Sequence, residues 1–325
     1  MFRNIVRWGV VGCGNVTEVK SGPAYAQVEG FKIEAVMRRN LELAKDYAKR
    51  HQIENYYNDA DKLINDSNID AVYIATPPDT HCYYALKVAE AGKICCIEKP
   101  MAPSYEECVA INEAFNTKNL PLYVAYYRRS LPRFEKVKML LESKQIGAVR
   151  HIHWTFYKHA NDIDKSKTYN WRTDENIAFG GYFDDLASHG LDLFTHLLGN
   201  IKEVSGLSEN QQRLYSARDT VVGNWIHENG VSGSGFWNFG AFSREDKVEI
   251  IGSEGKISFS VFDEQPVVVA NKEEQTEYAI ENPKHIQYFH VLNMKKDLES
   301  VIEHPSTGVS AMHTAWVMDK ILGRL

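Results

Sequence analysis

No stretch of this chain approaches the ~18 uninterrupted apolar residues that cross a bilayer, so a membrane protein is not expected. Dense basic runs are absent as well. Lys and Arg number 37 against 43 Asp and Glu, the net charge is -6, and no cluster could follow a phosphate backbone. Nucleic acid is therefore not an expected partner. The five cysteines are an odd number without paired metal-binding spacing, and Cys95 and Cys96 adjoin within an apolar stretch. That is the pattern of buried free thiols in a reducing compartment, not of a disulfide framework. Residues 1–8 lack the apolar core and small-residue cleavage site of a signal peptide, which points to the cytoplasm. Internal repeats and low-complexity tracts are also missing.

What is present suits two domains. The chain has 325 residues, 44% hydrophobic and 25% charged, an ordinary soluble composition at about twice the usual domain length. The first half alternates strands and helices. A short apolar run through Val10 and Val11 enters the turn Gly12-Cys13-Gly14-Asn15-Val16-Thr17. In a dinucleotide fingerprint the first glycine permits the tight turn. The second lets the backbone approach a pyrophosphate, which lies on the amides of the next helix, here at Asn15 and Val16. Thr17 replaces the usual third Gly or Ala, so helix packing there must accept a branched side chain. The second strand, residues 31–37, follows about twenty residues after the turn. At its tip an acidic residue would hold the ribose of NAD, but the chain offers Arg38 and Arg39. Two guanidinium groups suit a 2′-phosphate, so NADP is expected over NAD. The alternative is a pair of solvated arginines, with a more distant group on the ribose.

Helical patterning over residues 41–51 and 60–65 leads to a strand at 69–76, which delivers Thr76, Pro77 and His81. The consecutive prolines Pro77 and Pro78 cannot continue a ladder or a helix, so the chain turns there, across the top of the sheet beside the cofactor. A helix over residues 82–91 stops at Gly92. The next strand, residues 94–97, is apolar throughout and delivers Glu98, Lys99 and Pro100 to its carboxyl end, where ligands bind in open α/β sheets. A lysine held by a proline turn is well placed there for chemistry; a surface turn with a solvated ion pair is the alternative. Ser104 and Glu107 form a capping box for a helix to about residue 118, and a strand at 120–126 ends in Tyr127-Arg128-Arg129. This alternation specifies an α/β, doubly wound parallel sheet over residues 1–126.

Residues 127–325 form the second domain. From Val149 the texture becomes mostly β: Ile152, Trp154 and Phe156 alternate with polar neighbours, and segments 220–227, 233–239, 248–251, 256–261 and 266–270 carry branched or aromatic residues. A largely antiparallel sheet is expected, closed by helices over residues 287–304 and 310–322. Between the strands, a helix over residues 180–199 carries Asp185, His189, Asp192 and His196 at i, i+4, i+7 and i+11, one face of an α-helix. A titratable stripe on a greasy helix is either a site or a solvated face. Asp185 suits an N-cap in either account. Zinc is not expected, since no second ligand cluster is present and the His-Glu-x-x-His pattern is absent. Ser188 lacks the glycine-flanked elbow of a serine hydrolase.

Taken together, Gly12-Cys13-Gly14, Ala75-Thr76-Pro77 with His81, Glu98-Lys99-Pro100, Tyr127-Arg128-Arg129, Trp171-Arg172 and Asp185-x-x-x-His189 followed by Asp192 resemble the glucose-fructose oxidoreductase / inositol dehydrogenase (Gfo/Idh/MocA) family. The resemblance runs nearly end to end. It implies an N-terminal Rossmann domain and a C-terminal α+β domain on an open antiparallel sheet, through which subunits pair as homodimers or homotetramers. It also implies hydride exchange between a nicotinamide and a sugar, polyol, cyclitol or related carbinol, with Lys99, Asp185 and His189 as the catalytic group. Residue chemistry agrees: histidine suits proton transfer near neutrality, Asp185 can orient it, and Lys99 can stabilise charge on the reacting oxygen. Arg128, Trp171 and Arg172 are candidates for the substrate pocket, with packing and salt bridges as their alternatives. Two rival readings share most of these features: a dinucleotide-sensing regulator without turnover, and a nicotinamide-dependent glycosidase that returns the hydride.

Overall fold

The computed structural model describes residues 5–325. The first half forms a six-stranded sheet from β1 (Val6–Val11), β2 (Phe31–Met37), β3 (Asn55–Tyr57), β4 (Ala71–Ile74), β5 (Ile94–Ile97) and β6 (Leu122–Val124), in the order β3-β2-β1-β4-β5-β6. All neighbours run parallel. β4 and β5 are buried at every position, which is why they read as unbroken apolar runs. Strand order reverses between β1 and β4, the switch point at whose carboxyl ends open α/β sheets form a crevice. Gly12 follows β1 and Thr76 follows β4 by two residues, so the glycine turn and the proline turn flank that crevice. Ser104 caps its helix as expected, its hydroxyl accepting from the Glu107 amide at 3.3 Å.

The compact unit around this sheet comprises residues 5–130 and 283–312, whereas a linear division at 126/127 leaves the second segment outside. Helix Tyr288–Leu298 adds Val291, Met294 and Leu298 to the core of Trp8, Tyr25, Phe31 and Tyr73. The Tyr123 hydroxyl donates to Asp297 at 2.6 Å, and Ser306 donates to the Val124 carbonyl at 2.7 Å. Amphipathic spacing shows that such a helix packs, but not on which sheet. The helix is also shorter than the expected 287–304. It ends at Leu298, and Ser300 takes a left-handed φ of 58°.

The second unit comprises residues 131–282 and 313–325. Its sheet contains β7 (Val149–Tyr157), β8 (Ile201–Glu209), β9 (Thr220–His227), β10 (Ser232–Asn238), β11 (Glu245–Gly252), β12 (Gly255–Phe259), β13 (Val267–Asn271) and β14 (Gln275–Tyr278), ordered β14-β13-β12-β11-β7-β10-β9-β8. Only β7 and β10 pair in parallel, so the sheet is mixed and mostly antiparallel. β8 escapes the sequence patterning because it is an edge strand with only Ile201 buried. On β7 the expected alternation holds, with Ile152, Trp154 and Phe156 buried. Helix Ser188–Leu198 lies on that face: Phe194 meets Trp154 edge-on at 5.5 Å, and Trp154 meets Trp237 at 5.6 Å. Gly190 permits this approach, because a Cβ there would stand 2.3 Å from the Trp154 ring. The opposite face carries a half-exposed polar ladder in which His151 bonds Ser232 and Ser234, and His153 bonds Ser234 and Thr155. Among the described residues no helix is long and apolar enough to cross a membrane.

Candidate active site

Gly12 has φ +96°, and a Cβ there would lie 2.8 Å from the Thr76 methyl and 2.9 Å from the Ala75 carbonyl carbon, so only glycine fits. Above Gly14 the space is open; its Cβ would meet nothing nearer than the Gly12 carbonyl at 3.9 Å. A pyrophosphate can approach the backbone there, beside the first amides of helix Asn15–Val19, so these residues fit a dinucleotide. The amides of Gly12 and Cys13 donate to the Met37 carbonyl at 2.9 and 3.2 Å, tying the turn to the tip of β2, where Arg38 and Arg39 are exposed. Thr17 is fully buried, and its hydroxyl donates to the Gly14 carbonyl at 2.8 Å. The branched side chain thus braces the turn it might have obstructed.

His81 is fully buried between two strand ends: Nδ1 lies 3.0 Å from the Pro100 carbonyl and Nε2 2.8 Å from that of Thr76. Burial pushes its pKa down. Both nitrogens face backbone oxygens, so the ring acts as a strut between the Thr76 and Pro100 turns and exposes no atom to a ligand. Glu98 is buried as well. It accepts from the Tyr73 hydroxyl at 2.5 Å, from the Gln287 amide at 2.8 Å and from the backbone N–H of Lys99 at 3.2 Å. The carboxylate anchors the backbone of Lys99 from inside the unit, which replaces the alternative of a solvated ion pair. The Lys99–Pro100 peptide is cis, and the Lys99 side chain is half-buried. Neither Tyr73, in an apolar strand, nor Gln287, 189 residues further on, carries a sequence signal for this role. Arg128 is buried with its guanidinium 5.0 Å from the Tyr127 ring, and Tyr126 and Tyr127 are buried beside it.

In the second unit Asp185 lies in a π-helical turn, Phe183–Ala187, that precedes the α-helix Ser188–Leu198. The expected single α-helical face is therefore broken at its first member: the wider turn changes the angle between Asp185 and His189. Asp185 is not an N-cap either; Ala187 occupies that position and no side chain caps the helix. The solvated-face alternative also fails, since His189 is 4% exposed and Asp192 0%. Asp192 accepts from the Thr314 hydroxyl at 3.1 Å, while His196 lies 3.8 Å from Glu135. Asp185 accepts from Arg172 Nε at 2.8 Å, and that guanidinium stacks 4.2 Å over Trp171. The His189 ring meets Phe262 edge-on at 5.9 Å. Phe262 and the Tyr182–Asp164–Asn170 network that supports the Trp171–Arg172 turn are additions from the structure. They belong to loops whose partners are set only by folding.

Asp184, next to Asp185, is buried with its Oδ2 accepting only from the Gly180 amide at 2.8 Å. Burial raises its pKa to about 6, opposed by Arg324 and reinforced by Asp319 and Asp185. A carboxyl raised above its unfolded value contributes stability that is fully present below about pH 4 and is lost as pH rises through about 6. Asp184→Asn should therefore gain on the parent by about 2–3 kcal/mol between pH 4 and pH 7.5, read as the difference in thermal midpoints at the two pH values. A constant difference would contradict this.

Comparison with known proteins gives the family of the fold. The family model described as oxidoreductase family, NAD-binding Rossmann fold, matches residues 6–126, and the GFO/IDH/MocA C-terminal domain model matches residues 134–258. Oxidoreductase P35 of Formosa agariphila is 40% identical over 284 residues, covering 87% of each chain. Levoglucosan dehydrogenase of Pseudarthrobacter phenanthrenivorans is 31% identical over 200 residues, 62% of this chain and 47% of that protein. A levoglucosan dehydrogenase structure in complex with NADH and levoglucosan superposes with a TM-score of 0.85 at 25% identity, covering 97% of this chain and 96% of that one. With both domains matched, the chain belongs to the GFO/IDH/MocA family of oxidoreductases.

Proposed function

We propose that this oxidoreductase moves hydride between a nicotinamide cofactor and the carbinol carbon of a sugar, polyol, cyclitol or related cyclic alcohol, with Lys99, Asp185 and His189 serving the reacting oxygen. When bound, the nicotinamide supplies the hydride acceptor or donor. The chain's own residues do the rest. Lys99 donates a hydrogen bond to the oxygen and stabilises the charge that develops there. His189 takes the hydroxyl proton during oxidation and returns it during reduction. Asp185 balances the imidazolium charge, and Arg172, stacked on Trp171, holds Asp185 and binds substrate hydroxyls; Arg128 completes the pocket. Around the cofactor, Gly12, Gly14, Asn15 and Val16 take the pyrophosphate. Thr76 and Pro77 line its path, with His81 and Glu98 bracing the two turns. The observation that carries the reading is Lys99 at the carboxyl end of β5, its backbone held by a buried glutamate. A spectrophotometric screen of aldoses, ketoses, polyols, cyclitols and diols with both nicotinamides tests it. Turnover of at least one carbinol is expected. Tight cofactor binding with no turnover would instead mark a regulator, and aryl-glycoside release without net absorbance change a glycosidase.

The preferred cofactor in this reading is NADP. Arg38 and Arg39 are exposed at the tip of β2, and Arg39 lines a cleft of about 450 Å³ with Tyr83 and Tyr84. The nearby carboxylates do not cancel it: Asp61 pairs with Lys87 at 2.6 Å, and Asp59 caps a helix. Removing both guanidinium groups in Arg38→Ala/Arg39→Ala should raise KM for NADPH by roughly 10- to 100-fold, as for loss of charge-assisted hydrogen bonds, with a much smaller change for NADH. Equal effects on both cofactors would remove the 2′-phosphate assignment. The remaining proposals are a homodimer or homotetramer, paired through the exposed face of the eight-stranded sheet, and a cytoplasmic location.

A further inference from the structure

In the second unit a cleft of about 450 Å³ lies between residues 164–174 and 213–216, within the ~300–1,000 Å³ of small-molecule sites. Its floor is polar and incompletely bonded. Asp164 is 4% exposed; its Oδ2 takes the Tyr182 hydroxyl at 2.7 Å, and its Oδ1 has no partner. Tyr215 also lines the cleft, and its hydroxyl is buried without a partner. Buried polar groups are rarely left so. A ligand hydroxyl that reaches either group satisfies it, donating to the carboxylate or accepting from the phenol.

The walls fit the same kind of ligand. Tyr169, 71% exposed, supplies an aromatic ring to the lining, while Asn170, Thr173 and Ser216 add amide and hydroxyl groups. Asn170 and Thr173 flank the turn that carries Trp171 and Arg172, whose Nε is 2.8 Å from Asp185. The cleft is therefore lined by residues on either side of the turn that carries Arg172.

We propose that this cleft binds a glycosyl ring adjoining the one that is oxidised, so that the substrate is a glycoside or the end of an oligosaccharide, not a free monosaccharide. The cleft's affinity for a sugar ring stands by itself; only its assignment to the substrate rests on the dehydrogenase reading. The test is calorimetric titration of the full chain with glucose and galactose against maltose, cellobiose and lactose. At least one disaccharide should bind about tenfold more tightly than its monosaccharides, the gain of one charge-assisted hydrogen bond and a ring contact. Tyr169→Ala and Asp164→Asn should each shrink that ratio to about threefold or less. Tyr169 is exposed, so its replacement leaves the fold intact, and melting curves check Asp164→Asn. No disaccharide advantage, or one that survives both substitutions in folded protein, overturns the proposal and leaves the cleft with water only. Turnover of the parent chain, measured beside the same titration, separates the two readings. A Tyr169-dependent ratio in a parent chain that oxidises no carbinol would end the dehydrogenase reading while keeping the cleft, whereas parent turnover without the ratio would do the reverse.

Discussion

Lys99→Ala is expected to lower kcat/KM by roughly 10²–10⁴ while the dissociation constant for the dinucleotide stays nearly the same. The side chain is expected to act on the reacting oxygen only as charge develops, so its loss raises the barrier more than it weakens ground-state binding. The backbone frame around it does not depend on the ammonium group: Glu98 holds the Lys99 N–H at 3.2 Å and is itself held by Tyr73 and Gln287. The cofactor surface at Gly12 and Gly14 therefore survives the substitution. Single-turnover rates with each carbinol, beside cofactor titration by fluorescence, separate the two quantities. Undiminished turnover in Lys99→Ala would remove the lysine from the chemistry.

The largest stability effect is expected at Asp246. This buried carboxylate accepts from the Trp154 indole at 3.0 Å and the Val261 amide at 3.2 Å on Oδ1, and from the Phe262 and Asp263 amides at 2.6 and 3.1 Å on Oδ2. Asp246→Ala leaves four donors without this acceptor, three of them successive amides of one loop. A cost of about 3–5 kcal/mol follows from orphaned buried groups, or a fall in Tm of about 10 °C for a unit of this size. The same loop carries Phe262, whose ring lies 5.9 Å from that of His189, so turnover should fall below what the loss of folded protein explains. Asp246→Asn keeps one oxygen and should fall between the two. A melting curve for Asp246→Ala that overlays the parent would contradict this account.

Local patterns predicted much of the first unit and of the second sheet because they depend on neighbours in sequence. Fully apolar β4 and β5, alternating β7, the Ser104 cap and the Gly12-x-Gly14 turn each need only a few residues of context. Edge strand β8 carries too little apolar signal to stand out, and Tyr288–Leu298 shows a packing face without naming the sheet it packs on. The titratable stripe from Asp185 to His196 was legible as a feature, yet its geometry was not. Spacing assumes a uniform α-helix, and the π-helical turn at Phe183–Ala187 shifts its first member.

By itself the sequence determined that a doubly wound parallel sheet precedes a largely antiparallel one, and which residue types reach the carboxyl ends of the parallel strands, since hydrophobic periodicity and glycine and proline turns act over a few residues. Only the tertiary structure decided that Glu98 is buried under Tyr73 and Gln287, that His81 is a strut and that Asp246 gathers a loop beside His189. Those outcomes turn on hydrogen-bond partners distant in the chain, and which distant donor meets which buried acceptor is settled when packing excludes water from both.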